Sequence, residues 1–210
     1  MWKQAVLIGA SATAVLVITV GCSSDSGTEP SAASSSPVSA SAPAATEHNQ
    51  ADVMFSQHMI PHHQQAIEMS DIILAKQGVD SRVTDLATKI KAAQGPEISQ
   101  MQDWLRQWGN PPMPPMTPSE GHGGHDMSGM SGGMAGMMSA EEMTALKNAQ
   151  GVEASRLFLT GMIKHHQGAI DMAQTEIKDG QFGPAIELAR SIATTQQQEI
   201  DTMKGILGTL

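Results

Sequence analysis

The residues of this chain that could do chemistry are methionines and histidines set at helical spacing. The stretch Phe55-Ser56-Gln57-His58-Met59-Ile60-Pro61-His62-His63-Gln64-Gln65-Ala66-Ile67-Glu68-Met69 carries Met59, His62, His63 and Met69. A related stretch lies 103 positions later: Phe158-Leu159-Thr160-Gly161-Met162-Ile163-Lys164-His165-His166-Gln167-Gly168-Ala169-Ile170-Asp171-Met172. Nine of the fifteen aligned residues are identical, so the protein is built from two related halves. Sixteen methionines stand against three phenylalanines and no tyrosine, and there is a single cysteine. Thioether sulfur together with imidazole suits Cu(I), and Ag(I) by the same logic. Magnesium or calcium would call for oxygen ligands, and structural zinc usually brings cysteines.

These donors need elements to position them. From about residue 49 to 77 the apolar positions Phe55, Met59, Ala66, Met69 and Ile73 recur at helical spacing. At about 100° per residue, His62 points into the middle of that stripe and His63 lies on its border. Gly78 ends this helix, and Asp80 can cap a second one running from about residue 81 to 108. Ile90, Gln94, Glu97, Met101 and Trp104 share one face of that second helix, so Gln94 and Glu97 need buried partners. Gly95-Pro96 predicts a kink there. Ser139 and Glu142 form a capping-box start, with Gly151 as a break near residue 150. A histidine helix over about residues 152 to 178 follows, with Phe158, Met162, His165, Ala169 and Met172 on one face. A last helix reaches about residue 207, where Gln196, Glu199 and Met203 match Gln94, Glu97 and Met101. The expected fold is all-α: a four-helix bundle of two repeated helical hairpins joined by a crossover.

Residues 109 to 138 form the crossover between the halves, and their Pro and Gly density opposes regular structure. They nevertheless carry Met113, Met116, His122, His125, Met127, Met130, Met134, Met137 and Met138. Three candidate metal loci result. In the bundle interior His62 and His165 face inward with Met59, Met69, Met162 and Met172, joined by Met101 and Met203. There Glu97 and Glu199 could ligate directly or accept the other imidazole N–H. The crossover is the second locus, with His122, His125, Met127, Met130, Met134 and Met137 as thioether and imidazole donors. The third is the border pair His63 and His166, expected to be more exposed and less constrained. Each has a plainer reading: methionines as adaptable core filler, inward histidines as a hydrogen-bond network holding register, the crossover as a spacer.

The N-terminus carries a targeting signal. Lys3 precedes an apolar run from Ala5 to Val20 and then Gly21-Cys22, too short and wrongly flanked for a spanning helix. Residues 1–21 read as a lipoprotein-type signal peptide, with Cys22 as the lipidated first residue; if Cys22 is not lipidated, the chain is secreted. Residues 22–48 are a Ser-, Ala- and Pro-rich tether that cannot bury enough apolar area to fold. The helical domain is then residues 49–210. Its location is extracytoplasmic, held to the bacterial membrane by the lipid. The formal net charge is -9 and no basic stripe exists, so nucleic-acid binding has no electrostatic footprint.

The two segments 59–69 and 162–172, with their doubled Met-Ile-x-His-His and Ala-Ile-acid-Met pattern, resemble the paired signature of the DUF305 family. The resemblance covers roughly residues 50 to 210. It implies a secreted or lipid-anchored ferritin-like bundle, and some members are implicated in binding copper outside the cytoplasm. The second copy departs from the first at Lys164 for Pro61 and Gly161 for His58. The function expected from residues and resemblance together is a membrane-anchored protein that sequesters Cu(I) or hands it on, with copper ions and an envelope metal-handling protein as partners. Two alternatives stand beside it. One is a ferritin-like di-metal oxidase, although neither Glu97 nor Glu199 has the histidine three residues later that such sites use. The other is a metal-free envelope interaction module.

Overall fold

The computed structural model describes residues 47–111 and 135–210, in which there are five α-helices and no strand. The helices are α1 (Gln50–Leu74), α2 (Ser81–Gln107), α3 (Ala140–Asn148), α4 (Gly151–Asp179) and α5 (Gly183–Leu207). Their starts follow the local chemistry. Asn49 caps α1, accepting from the Ala51 and Asp52 amides while Asp52 accepts from the Asn49 amide. Asp80 caps α2, and Ser139 with Glu142 forms the expected capping box on α3. Helix α2 continues through Gly95 and Pro96 to Gln107.

Helix α1 packs chiefly on α2, α4 chiefly on α5, and α1 meets α4 along a central seam. Each half is therefore a hairpin, and the two histidine helices form the interface. The apolar interior falls into two clusters. Phe55, Met59, Met101, Trp104, Phe182 and Ile192 belong to one; Met69, Ile90, Leu146, Phe158, Met162 and Met203 belong to the other. Along every long helix the polar residues His62, His63, Gln94, Glu97, His165, His166, Gln196 and Glu199 stand between these two groups.

The end of the loop that joins the halves is docked on this seam, and that explains where the copies differ. Gln65 Nε2 donates to the Met138 carbonyl at 2.9 Å, and Gln65 Oε1 accepts from the Met138 amide at 2.8 Å. The second copy has Gly168 at the matching position, and the backbone of Ala135 and Gly136 lies directly on it. A Cβ at 168 would come within 1.9 Å of the Ala135 oxygen. Gly161, the counterpart of His58, leaves room for the Met138 side chain, whose sulfur would lie 2.7 Å from an added Cβ. Lys164, the counterpart of Pro61, pairs with Glu142 of α3 at 3.6 Å.

One end of the bundle is closed by Asp52. Its carboxylate accepts from the Phe182 amide at 2.8 Å and the Gln181 amide at 3.1 Å, fastening α1 to the α4–α5 turn. Burial raises the Asp52 pKa, but the hydrogen bonds from Asn49, Glu176, Phe182 and Gln181 outweigh it and the net shift is downward. Glu176 is 1% exposed and no donor reaches either of its oxygens. Burial first, and the neighbouring Asp52 second, push its pKa up to about 8. At neutral pH it is therefore the protonated member of a carboxyl–carboxylate pair.

Two outcomes test this packing. Gly168→Ala is expected to lower the unfolding free energy by about 1–3 kcal/mol in urea titrations, because backbone rather than a mobile side chain blocks the new methyl. For Glu176 the folded state holds the proton more tightly, so its contribution is complete below about pH 4.5 and is lost as pH rises through about 8. Stability measured at pH 5 and pH 9 should fall more in the natural protein than in Glu176→Gln; an equal fall would contradict the shared proton.

Candidate metal centre

At the middle of the seam His62 of α1 meets His165 of α4, with ring centroids 3.7 Å apart and ring planes tilted by 39°. These are equivalent residues of the two copies. Residue i meeting its own counterpart is the mark of a two-fold relation between the halves. Both rings are fully buried. His62 Nε2 lies 3.1 Å from the Ala135 carbonyl, to which it donates in the tautomer protonated there. His62 Nδ1 and both ring nitrogens of His165 find no hydrogen-bond partner.

Loss of water is the main cause of low basicity here. Burial, followed by the neighbouring His63, takes the His62 pKa down to about 3; the Ala135 carbonyl opposes this only in part. Burial and then His62 hold His165 well below its usual value, and the nearby His62 backbone offsets little. Both imidazoles are neutral near pH 7, with lone pairs free for a metal. Each has a fully buried methionine one turn earlier on its own helix, Met59 before His62 and Met162 before His165.

Adjacent to this pair, His63 Nε2 is 2.7 Å from Glu97, and His166 Nε2 is 2.7 Å from Glu199. The glutamates thus serve the second histidine of each motif, not His62 or His165. The expectation that His63 and His166 form an exposed, loosely held border is wrong: both are fully buried. The reason is geometric. Each histidine helix packs on two neighbours, the other histidine helix and its own hairpin partner, so a single apolar stripe underestimates the buried arc. In each copy the first histidine faces the seam and the second faces the glutamate helix.

The methionines are divided. Met59 and Met101 lie in one apolar cluster, and Met69, Met162 and Met203 in the other. Met172 is half-buried and lines a cavity beside α1 instead. Of the crossover candidates, Met137 is half-buried and Met138 is buried. His122, His125, Met127, Met130 and Met134 lie outside the described residues, as does Cys22. Among the described residues no three His, Cys, Asp or Glu side chains gather as a metal-binding group. The His62–His165 pair thus has no third ligand of those types, and the buried thioethers of Met59 and Met162, each one turn away on its own helix, are the soft donors nearest to it along the chain.

The two buried neutral imidazoles set the acid limit of the metal-free protein. Unfolding frees them to take up protons below pH 6.5, so stability is greatest above that value and falls as pH drops towards about 3. Between pH 6.5 and pH 4 the slope should reach up to about 1.4 kcal/mol per pH unit for each histidine. Denaturant midpoints of His165→Leu should show a shallower fall, whereas an unchanged slope would contradict the neutral pair.

Solved structures of similar proteins share this helical fold. A DUF305 fragment from Deinococcus radiodurans is 34% identical with a TM-score of 0.65, the match covering 77% of this chain and 98% of that one. A DUF305 protein from Streptomyces coelicolor, described as secreted, is 31% identical with a TM-score of 0.65 over 76% of this chain and 91% of its own. CopM in its Cu(II)-bound form is 32% identical with a TM-score of 0.60, over 75% and 96% of the two chains. CopM in its Cu(I)-bound form is 29% identical with a TM-score of 0.59 over the same shares. No curated protein matches the chain. The family model for the domain of unknown function DUF305 matches residues 52–207, and the chain belongs to that family.

Proposed function

We propose that this protein binds Cu(I) outside the cytoplasm, sequestering the ion or handing it on through methionine and histidine ligands while a lipid on Cys22 tethers it to the membrane. The observation that carries this reading is the His62–His165 contact: two neutral imidazoles, fully buried, with three ring nitrogens lacking partners. Leaving such groups unsatisfied costs about 1–3 kcal/mol each, a penalty that a bound ion would remove. The membership of CopM, solved with Cu(I), Cu(II) and silver, among the similar structures supports the same cargo. Among the described residues no helix is long and apolar enough to cross a membrane, so a tether would have to come from outside them.

The oxidase alternative gains no support from the donors. Glu97 and Glu199 are each bonded to a histidine of their own half, and among the described residues no group of three His, Cys, Asp or Glu side chains gathers around them. In this reading His63 and His166 are held in place by those carboxylates, and the six crossover and end-of-loop donors His122, His125, Met127, Met130, Met134 and Met137 extend capacity.

The test is a Cu(I) titration of the lipid-free protein against a competing chelator, with thermal melts alongside. The intact protein should bind more than one equivalent and melt higher with Cu(I), since a ligand of the native state raises its stability. Removing residues 109 to 134 should lower the capacity without abolishing it. A melt unmoved by excess Cu(I), with no competition for the ion, would overturn the proposal.

A further inference from the structure

Outside the central seam a second group of soft donors converges on one cavity. Met54 and His58 are four residues apart on α1 and are neighbours on one helix face. Met172 comes from α4. All three line a cavity of about 600 Å³, whose wall also holds Ala135, the first described residue after the crossover, and the acidic residues Asp171, Glu176 and Asp179. Met54 is 37% exposed, one of only three large hydrophobic side chains so exposed among the described residues. The His58 ring is half-buried and has no hydrogen-bond partner among the described residues.

The two-fold relation between the halves tells what such a cavity accepts. The counterparts of Met54, His58 and Met172 are Leu157, Gly161 and Met69. There the space over Gly161 is filled by the Met138 side chain, and Met69 is fully buried. One copy of this depression is thus plugged by a thioether, while the other stays open and replaces an aliphatic residue and a glycine with a thioether and an imidazole. Met54 in place of a leucine could fill an apolar gap, but His58 in place of a glycine brings a polar ring that such filling does not require.

We infer that Met54, His58 and Met172 form a separate, solvent-reachable binding site for a soft monovalent ion, Cu(I) or Ag(I), at the place where the crossover joins the bundle. The inference rests on the copper reading above but concerns residues that the seam does not use. Two thioethers and one neutral imidazole are a donor set for such an ion. The cavity is wider than a bare ion, which leaves room for a ligand arriving with it to exchange. Because the second copy is closed by Met138, the repeat gives one such site, not two, among the described residues.

Ag(I), which is diamagnetic, is the probe. Titrated into the lipid-free full chain, it should shift the His58 imidazole and the Met54 and Met172 methyl resonances. The double variant Met54→Leu, Met172→Leu should lose about one equivalent of bound ion and keep the His62 and His165 response. If the natural protein binds Ag(I) while the His58, Met54 and Met172 signals stay put at saturation, this site is overturned and the seam is not. If no signal moves and no ion binds, both readings fall together.

Discussion

The contact between His62 and His165 is the constraint on which the rest of the structure depends. Two rings 3.7 Å apart cannot both be charged in a dry interior, so the seam exists only with neutral imidazoles. Their burial is enforced by the apolar clusters on either side of the polar layer. The same layer holds His63 with Glu97 and His166 with Glu199, where each histidine has a charge-capable partner at 2.7 Å. His62, His63 and His166 thus each have one ring nitrogen bonded and Nδ1 without a partner, while both ring nitrogens of His165 are left without one. A bundle selected for stability alone would place apolar side chains at 62 and 165. Retaining imidazoles there makes sense when a ligand completes them.

Duplication makes such a contact easy to build, because one histidine helix meeting its own copy brings equivalent residues together. The loop then breaks the symmetry. It needs a place to land, and Gly168 and Gly161 supply it on α4, whereas Gln65 on α1 clasps the Met138 backbone. The landing also gives His62 its one hydrogen bond, to the Ala135 carbonyl, and leaves His165 with none. The two central histidines are chemically unequal although their sequence surroundings match.

Much of this was legible in the sequence. Apolar spacing, Asp80 and Ser139 as caps, and the repeat itself define helices, hairpins and the inward course of His62 and His165. The burial of His63 and His166 was not legible, because a wheel drawn on one helix sees one packing face and these helices have two. The partition of Met59 from Met69 depends on which helix crosses at which height, which no local pattern records. The role of Gly161 and Gly168 is likewise tertiary: their departures from His58 and Gln65 were visible, but only the docked loop gives them a cause. His58 is unmatched between the copies, and an unmatched histidine one turn from Met54 is a signal the sequence does carry.

The most direct measurement of the central claim is imidazole nitrogen NMR of the lipid-free protein during a Cu(I) titration under reducing conditions. The account predicts that the ring nitrogens of His165 and the Nδ1 of His62 change first on the path to saturation, and that Nε2 of His63 and His166 stays bonded to its glutamate. Saturation with Cu(I) that leaves both central rings at their metal-free positions would contradict it.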